Sequence, residues 1–241
     1  MDDGAKTIEE SLAMLELAAA SGTTDIVATP HANERYEFNP ELIEQRINEL
    51  NARVPHIRVH CGCDFHLQID NIEDAIANPA KYTINHKNYL LVEFPDLAIF
   101  ANTDEILAQL LDAGLVPIIT HPERNTRLQE RRDDLMRWVE GGCYLQVTAG
   151  ACTGQFGRRA MAFADTLMKS GLVHFIASDA HDCHKRSPSL SEAHAMLSDR
   201  WGEDRVRPLI VDNPKAVLTG DPLDVEPPAP PVKRKWYQFW A

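Results

Sequence analysis

The sequence has no apolar run long enough to cross a bilayer, which excludes a helical membrane span. Its opening, MDDGAKTIEES, lacks the basic start and apolar stretch of a secretory leader, so a cytoplasmic location is expected. Cysteine is sparse. Cys61, Cys63, Cys143, Cys152 and Cys183 are an odd, scattered set in 241 residues, which reads as reduced thiols and not as a disulfide framework. Cys61-Gly62-Cys63 is one residue tighter than the usual zinc knuckle. Cations are outnumbered, with 24 Lys+Arg against 36 Asp+Glu and a net charge of −12. A body this acidic is a poor nucleic-acid binder, because phosphate neutralisation needs clustered Lys and Arg. Several nucleophile motifs are also missing. There is no G-x-S-x-G elbow and no Walker A loop, and Cys143 has no Arg at the spacing of a C-x5-R loop, although Cys152 and Arg158 do stand at that spacing.

What is present suits one sizeable globular body. Apolar residues make up 44% and charged residues 25%, ordinary globular usage. Helix signals alternate with short apolar strands. Thr7 and Glu10 form a capping box before Leu12, Leu15, Ala18 and Ala19, and Gly22 stops that helix. A strand over 25–31 follows. Asn39-Pro40 opens a helix whose buried face is read as Leu42, Ile43, Ile47 and Leu50. Further strands are read at 57–63, 89–92, 116–120, 143–148 and 173–178, with helices at 103–114, 133–140 and 158–170. Thr103 is read as the cap of the first of those helices. Such alternation implies a mostly parallel sheet. The body ends near Gly220, leaving two regions: residues 1–220, and residues 221–241. The second region holds five prolines between Pro222 and Pro231, an extended linker, then Lys233-Arg-Lys-Trp-Tyr-Gln-Phe-Trp-Ala241. Basic residues beside Trp and Tyr have the composition of a weak membrane-surface contact; packing back onto the body is the alternative.

Five of the six strands lead into a metal-type side chain: His31, Asp64, Glu93, His121, and Asp179 with His181. Strand C-termini are where α/β barrels and open α/β sheets place their chemistry. Ligands after five different strands favour a closed or nearly closed ring. Alone, any one of these histidines reads as a hydrogen-bonded surface residue; the joint placement makes the case. His56, His60, His66, His86, His174, His184 and His194 keep that plain reading, with His174 as packing. Mixed nitrogen and oxygen donors suit Mn2+, Fe2+ or Zn2+, and six donors exceed one catalytic zinc, so a centre of two or three ions is expected. Such centres activate water and clamp the oxygens of an in-line displacement. Arg124 and Arg186 stand close in sequence to the ligands. Their planar forks match phosphate; a salt bridge from each to a nearby carboxylate, such as Glu123 or Asp182, is the competing reading.

These residues resemble the polymerase and histidinol phosphatase (PHP) superfamily, and within it the bacterial metal-dependent protein-tyrosine phosphatases of capsule and exopolysaccharide clusters. The landmarks are Asp2-Asp-Gly-Ala-Lys-Thr, Ala28-Thr-Pro-His31, Leu91-Val-Glu93-Phe, Ile119-Thr-His-Pro-Glu-Arg124, Gln146-Val-Thr-Ala-Gly and Phe175-Ile-Ala-Ser-Asp-Ala-His181. The resemblance runs from Asp2 to about Gly220. The resemblance implies a distorted (β/α)7 barrel and a metal site, with manganese as the leading ion and iron or zinc as alternatives. It implies that Asp3, His31 and His181 serve one ion. Asp64 would bridge two others, Glu93 and His121 would complete the second, and Asp179 would serve the third. Arg124 and Arg186 match the positions credited with holding phosphate. Asp64 stands where many members carry Glu, one methylene longer. Members also begin with a strand ending in D-x-H-x-H, which this sequence does not contain. The expectation is therefore a barrel short of its first strand, with Met1 downstream of the full start. The implied activity is hydrolysis of phosphotyrosine on protein, the substrate being a membrane-associated tyrosine kinase that governs polysaccharide export. A PHP phosphoesterase acting on a small ester or nucleotide, and a non-catalytic phosphoprotein-binding module, are the alternatives.

Overall fold

A computed structural model describes residues 2–225. The proposed tail contact at residues 233–240 lies outside the described residues. Helix α1 (Ile8–Ala20) begins at the expected cap: Thr7 Oγ1 accepts from the Glu10 amide. The reciprocal arm reaches one residue further back, with Glu10 Oε2 accepting from the Lys6 amide at 2.7 Å. Helix α2 (Pro40–Arg53) starts at Asn39, whose Oδ1 accepts from the Leu42 amide. Ile43 and Ile47 form its buried face; Leu42 is exposed, because it faces away from the sheet.

The first two expected strands are each broken in two. The segment read as 25–31 becomes β1 (Asp25–Ala28) and β2 (His31–Ala32), and the segment read as 57–63 becomes β3 (Arg58–Cys61) and β4 (Asp64–His66). Both breaks fall at one level. Asp25 pairs with Arg58, Ala28 with Cys61 and His31 with Asp64, all at an offset of 33 residues. Pro30 has no amide to give the ladder, although its carbonyl accepts from the Asp64 amide at 3.2 Å. Opposite, Gly62 faces Val27 so closely that a Cβ would lie 2.7 Å from Val27 Cγ1. Asp64 therefore starts a strand instead of ending one.

Strands β5 (Tyr89–Glu93), β6 (Val116–Thr120), β7 (Tyr144–Thr148) and β8 (Phe175–Ala177) extend the sheet in the order β2-β4-β5-β6-β7-β8, and every ladder is parallel. Among the described residues, β1 pairs with β3 alone and β8 with β7 alone. The central strands are buried on both faces, as parallel strands between layers must be. Leu90, Val92, Ile119, Leu145 and Val147 face the main core, to which α3 (Ile69–Ala77), α4 (Thr103–Asp112), α5 (Arg132–Glu140), α6 (Ala149–Cys152), α7 (Gly157–Lys169), α8 (Ser191–Trp201) and α9 (Glu203–Arg207) contribute buried residues. Tyr89, Leu91, Ile118 and Phe175 face a second cluster closed by α10 (Asn213–Thr219). Thr103 is the first residue of α4, not its cap: its hydroxyl donates to the Phe100 carbonyl, and Asn102 precedes it. The described cysteines are all free.

His174 is packing, as expected, although it lies just before β8 and not in the middle of a strand. It is buried, and its Nδ1 accepts from the Leu145 amide at 3.1 Å. Burial pushes its pKa down to about 4. The folded chain therefore keeps it neutral while the unfolded chain protonates it near pH 6.5. Stability from this residue is full above pH 6.5 and is lost as pH falls towards 4, by roughly 3 kcal/mol. Urea midpoints of wild type and His174→Gln should converge across that window; parallel pH curves would show that the imidazole is not held neutral.

Candidate metal centre

Glu93 ends β5, His121 follows β6, and Asp179 and His181 follow β8, whereas His31 and Asp64 each start a short strand just past a break. Asp64 enters through the strand break, paired in register with His31. His31, Asp64 and Glu93 bring one ligand atom each to within 4.8 Å of one another. His121 Nε2 lies 3.5 Å from Glu93 Oε1 and 3.7 Å from Asp64 Oδ2. Asp3 Oδ1 lies 3.5 Å from both His31 Nδ1 and His181 Nε2. Asp179 joins His181 through its carbonyl, 3.0 Å from His181 Nδ1. The structure thus gathers Asp3, His31, Asp64, Glu93, His121, Asp179 and His181 at one end of the sheet.

Two of them carry unusual backbone. His121 has φ +34° and Asp179 φ +50°. Non-glycine residues rarely adopt this left-handed region, and such strain concentrates at functional sites. The turn turns each side chain back over the strand ends. Thr120, just before, donates its hydroxyl towards Asp64 Oδ1 and the Val92 carbonyl.

The electrostatics follow from crowding. Burial and the neighbouring Asp64 charge push Glu93 up to about 6. Burial alone would raise Asp64 as well, but the contact with His121 holds it below the ordinary carboxylate range. A hydrogen bond to Asp2 raises His31 to about 9 against its burial. Imidazoles and carboxylates, with no thiolate among them, form a donor set that hard to borderline divalent ions prefer. His66 Nδ1, buried and without a hydrogen-bond partner, sits 3.8 Å from Glu93 Oε2. An orphaned nitrogen beside crowded carboxylates fits a cation-binding centre.

Both arginines reach this cluster. Arg124 and Arg186 each hydrogen-bond Asp179 Oδ2. Each arginine thus does form a salt bridge with a carboxylate, but the partner is Asp179 and neither Glu123 nor Asp182. Glu123 is fully buried and its Oε1 accepts from the Thr148 amide at 2.9 Å, at the end of β7. Asp182 instead accepts from the amides of His184, Lys185 and Arg186, which curls the 181–186 loop. Asn125 ties the loop after β6 to the one after β5 by donating to the Phe94 and Pro95 carbonyls. Arg124, between two inward anchors, is thereby aimed at the cluster. Its guanidinium lies 4.5 Å from the centroid of the Phe156 ring. Beside it opens a cleft of about 170 Å3 lined by Glu93, Asp96, His121 and Arg124.

Sequence reasoning missed Asp2, Glu123, His66 and Phe156. Asp2 Oδ2 lies 3.0 Å from His31 Nδ1 and accepts from the His31 amide, so it orients that ring. Doubling of the acid in Asp2-Asp3 was a signal for it; nothing in the sequence marks Phe156. The plain reading suits His56, His60, His86 and His194, which pair with surface carboxylates.

The fold is that of a PHP-type α/β barrel. A crystal structure from a study of YwqE from Bacillus subtilis and CpsB from Streptococcus pneumoniae, described as unique metal-dependent tyrosine phosphatases, matches at a TM-score of 0.89 and 31% identity, covering 97% of this chain and 96% of that one. The profile of the family "Capsular polysaccharide synthesis, CpsB/CapC" matches residues 1–219, and the chain belongs to that family. CapC of Staphylococcus aureus is 34% identical over 98% of this chain and 94% of its own. The tyrosine-protein phosphatase YwqE of Bacillus subtilis is 31% identical over 100% and 96%. The tyrosine-protein phosphatase CpsB of Streptococcus agalactiae is 27% identical over 90% and 93%.

Proposed function

We propose that this chain hydrolyses phosphotyrosine on protein, using divalent metal ions held by Asp3, His31, Asp64, Glu93, His121, Asp179 and His181. The observation that carries the reading is the meeting of Arg124 and Arg186, from two separate loops, on one carboxylate of the imidazole–carboxylate cluster. Neither guanidinium pairs with Glu123 or Asp182, its neighbours in sequence; both turn to Asp179, one of the ligand-type carboxylates. The donor set suits two or three ions, with manganese as the leading choice and iron or zinc as alternatives. Bound ions supply Lewis acidity, which makes water a nucleophile near neutral pH. The residues do the rest. Arg124 and Arg186 take the phosphoryl oxygens in planar forks and oppose the charge that builds in the transition state. Glu123 and Asn125 hold the Arg124 loop at fixed height, and Asp2 holds the His31 ring.

Residues 1–220 constitute the catalytic body in this reading, and 221–241 a linker and basic-aromatic tail that brings the enzyme weakly to a membrane surface. Among the described residues no helix is long and apolar enough to cross a membrane. The proposed setting is the cytoplasm, where cysteines stay reduced, and the proposed substrate is the phosphorylated tail of a membrane-associated tyrosine kinase. Names of relatives support the substrate class, since those proteins are called tyrosine-protein phosphatases. The test is turnover of a phosphotyrosine peptide beside histidinol phosphate and an oligonucleotide, with manganese and with chelator. Phosphotyrosine should be preferred and chelator should abolish turnover. Preference for the small ester or the oligonucleotide would replace the proposed substrate.

A further inference from the structure

We infer that Phe156 is the aryl-recognition surface of this site, the residue that selects an aromatic phosphate ester over an aliphatic one. The inference rests on the phosphotyrosine reading and deepens it. The segment between α6 (Ala149–Cys152) and α7 spans the two arginine loops. Phe156 presents its ring to the Arg124 guanidinium at 4.5 Å. The adjacent Gln155 donates its side-chain amide to the carbonyl of Lys185, the residue before Arg186. Gly154 and Gly157, at φ +88° and +84°, bracket the pair in a fixed turn. Room for the ring is built in. A Cβ on Gly150 would lie 2.9 Å from Phe156 Cε2 and 2.3 Å from Gln155 Oε1. Alanine at 150 would push the ring off its place.

Phe156 is half-buried, between an arginine inside and exposed Gln155 and Gly157 outside. When phosphoryl oxygens occupy the arginines and the cluster, the ester group must point outwards. On the Arg124 side Phe156 is the half-exposed apolar ring it meets, because the apolar residues lining the adjacent cleft, Phe94 and Leu128, are buried. An aryl ring can stack or meet it edge-on, whereas a short aliphatic ester offers no such face. Tyr36 is the other aromatic near the mouth, its ring 5.9 Å from that of His31. It lies on the far side of the cluster from Arg124, beside His31, and carries its own arginine, Arg35, 5.1 Å from the ring centroid, so it serves as the control position. The purely structural alternative is that Phe156 only steadies Arg124. That role would affect every phosphate ester alike.

The test compares wild type, Phe156→Leu, Phe156→Tyr and Tyr36→Leu. Two readouts are used: calorimetric affinity for phenylphosphonate against methylphosphonate, and kcat/KM for a phosphotyrosine peptide against the same peptide carrying phosphoserine. Phe156→Leu should weaken phenylphosphonate binding and phosphotyrosine turnover by roughly three- to ten-fold, the worth of one aromatic pair. Methylphosphonate and phosphoserine should change little, and Phe156→Tyr should keep the selectivity. Equal loss for aryl and alkyl ligands, or a loss of selectivity in Tyr36→Leu instead, overturns the inference. The two levels separate cleanly. If wild type turns over phosphotyrosine but Phe156→Leu keeps full aryl selectivity, the inference fails and the phosphatase reading stands. If wild type turns over no phosphotyrosine yet the phenylphosphonate preference depends on Phe156, the aryl surface stands and the phosphatase reading fails.

Discussion

Arg124→Ala should lower phosphotyrosine turnover by roughly 10²–10³-fold, the usual consequence of removing one charge-stabilising donor from a preorganised site. Bound metal, measured by elemental analysis, should not change, because Arg124 contributes no ligand atom. The loop should stay in place, because Glu123 and Asn125 anchor it independently through Thr148 and the Phe94–Pro95 carbonyls. Arg124→Lys is the informative companion. It keeps the charge but loses the fork, so it should recover only part of the rate. Near-normal turnover in Arg124→Ala would return this residue to a structural partner of Asp179.

Manganese should raise the melting temperature, and the loss of one central ligand should remove both that shift and turnover. An ion at about 100 times its dissociation constant stabilises by roughly 2.7 kcal/mol, if it binds the folded chain alone. For a chain of this size that is a rise of roughly 5–10 °C. Asp64→Asn keeps the shape of the side chain and removes a buried carboxylate charge beside His121. His121→Ala removes the imidazole that faces both Asp64 and Glu93. Either variant should melt at a temperature insensitive to manganese. A full shift in both would place the ions elsewhere, whatever happens to catalysis. Thermal melting reads the site without relying on turnover.

Much of this was legible because β strands and capped helices are local signals. The alternation of strands with helices gave the parallel sheet, and the residue following each strand gave most of the candidate ligands. Asp3 was not accessible that way: it lies before α1, and only the resemblance to a family brought it in. The split at Pro30 and Gly62 was hidden because it depends on two chain segments meeting side by side, 33 residues apart. Leu42 looked buried because its apolar character fits the helical stripe; its direction on α2 decides otherwise. The fate of the arginines was a choice between neighbours in sequence and a partner in space. Glu123 sits next to Arg124 in the chain, yet the peptide sends the two side chains to opposite sides of the loop. Phe156 carries no motif at all. Its place follows from the absence of a side chain at Gly150, which no pattern of residue types announces.

The left-handed backbone at His121 and Asp179 leaves a mark on what substitutions can do. Chirality makes that conformation unfavourable by roughly 1–2 kcal/mol for a residue with a Cβ, less for aspartate and nothing for glycine. The residues that would make the folded chain most durable at these two places are therefore not the ones it carries. Variant libraries sorted for heat resistance alone should accumulate glycine at 121 and asparagine or glycine at 179, and these survivors should be the inactive ones. Sorting for turnover should retain histidine and aspartate in spite of that bias. At these two strand ends, robustness and chemistry rank the same amino acids in opposite order.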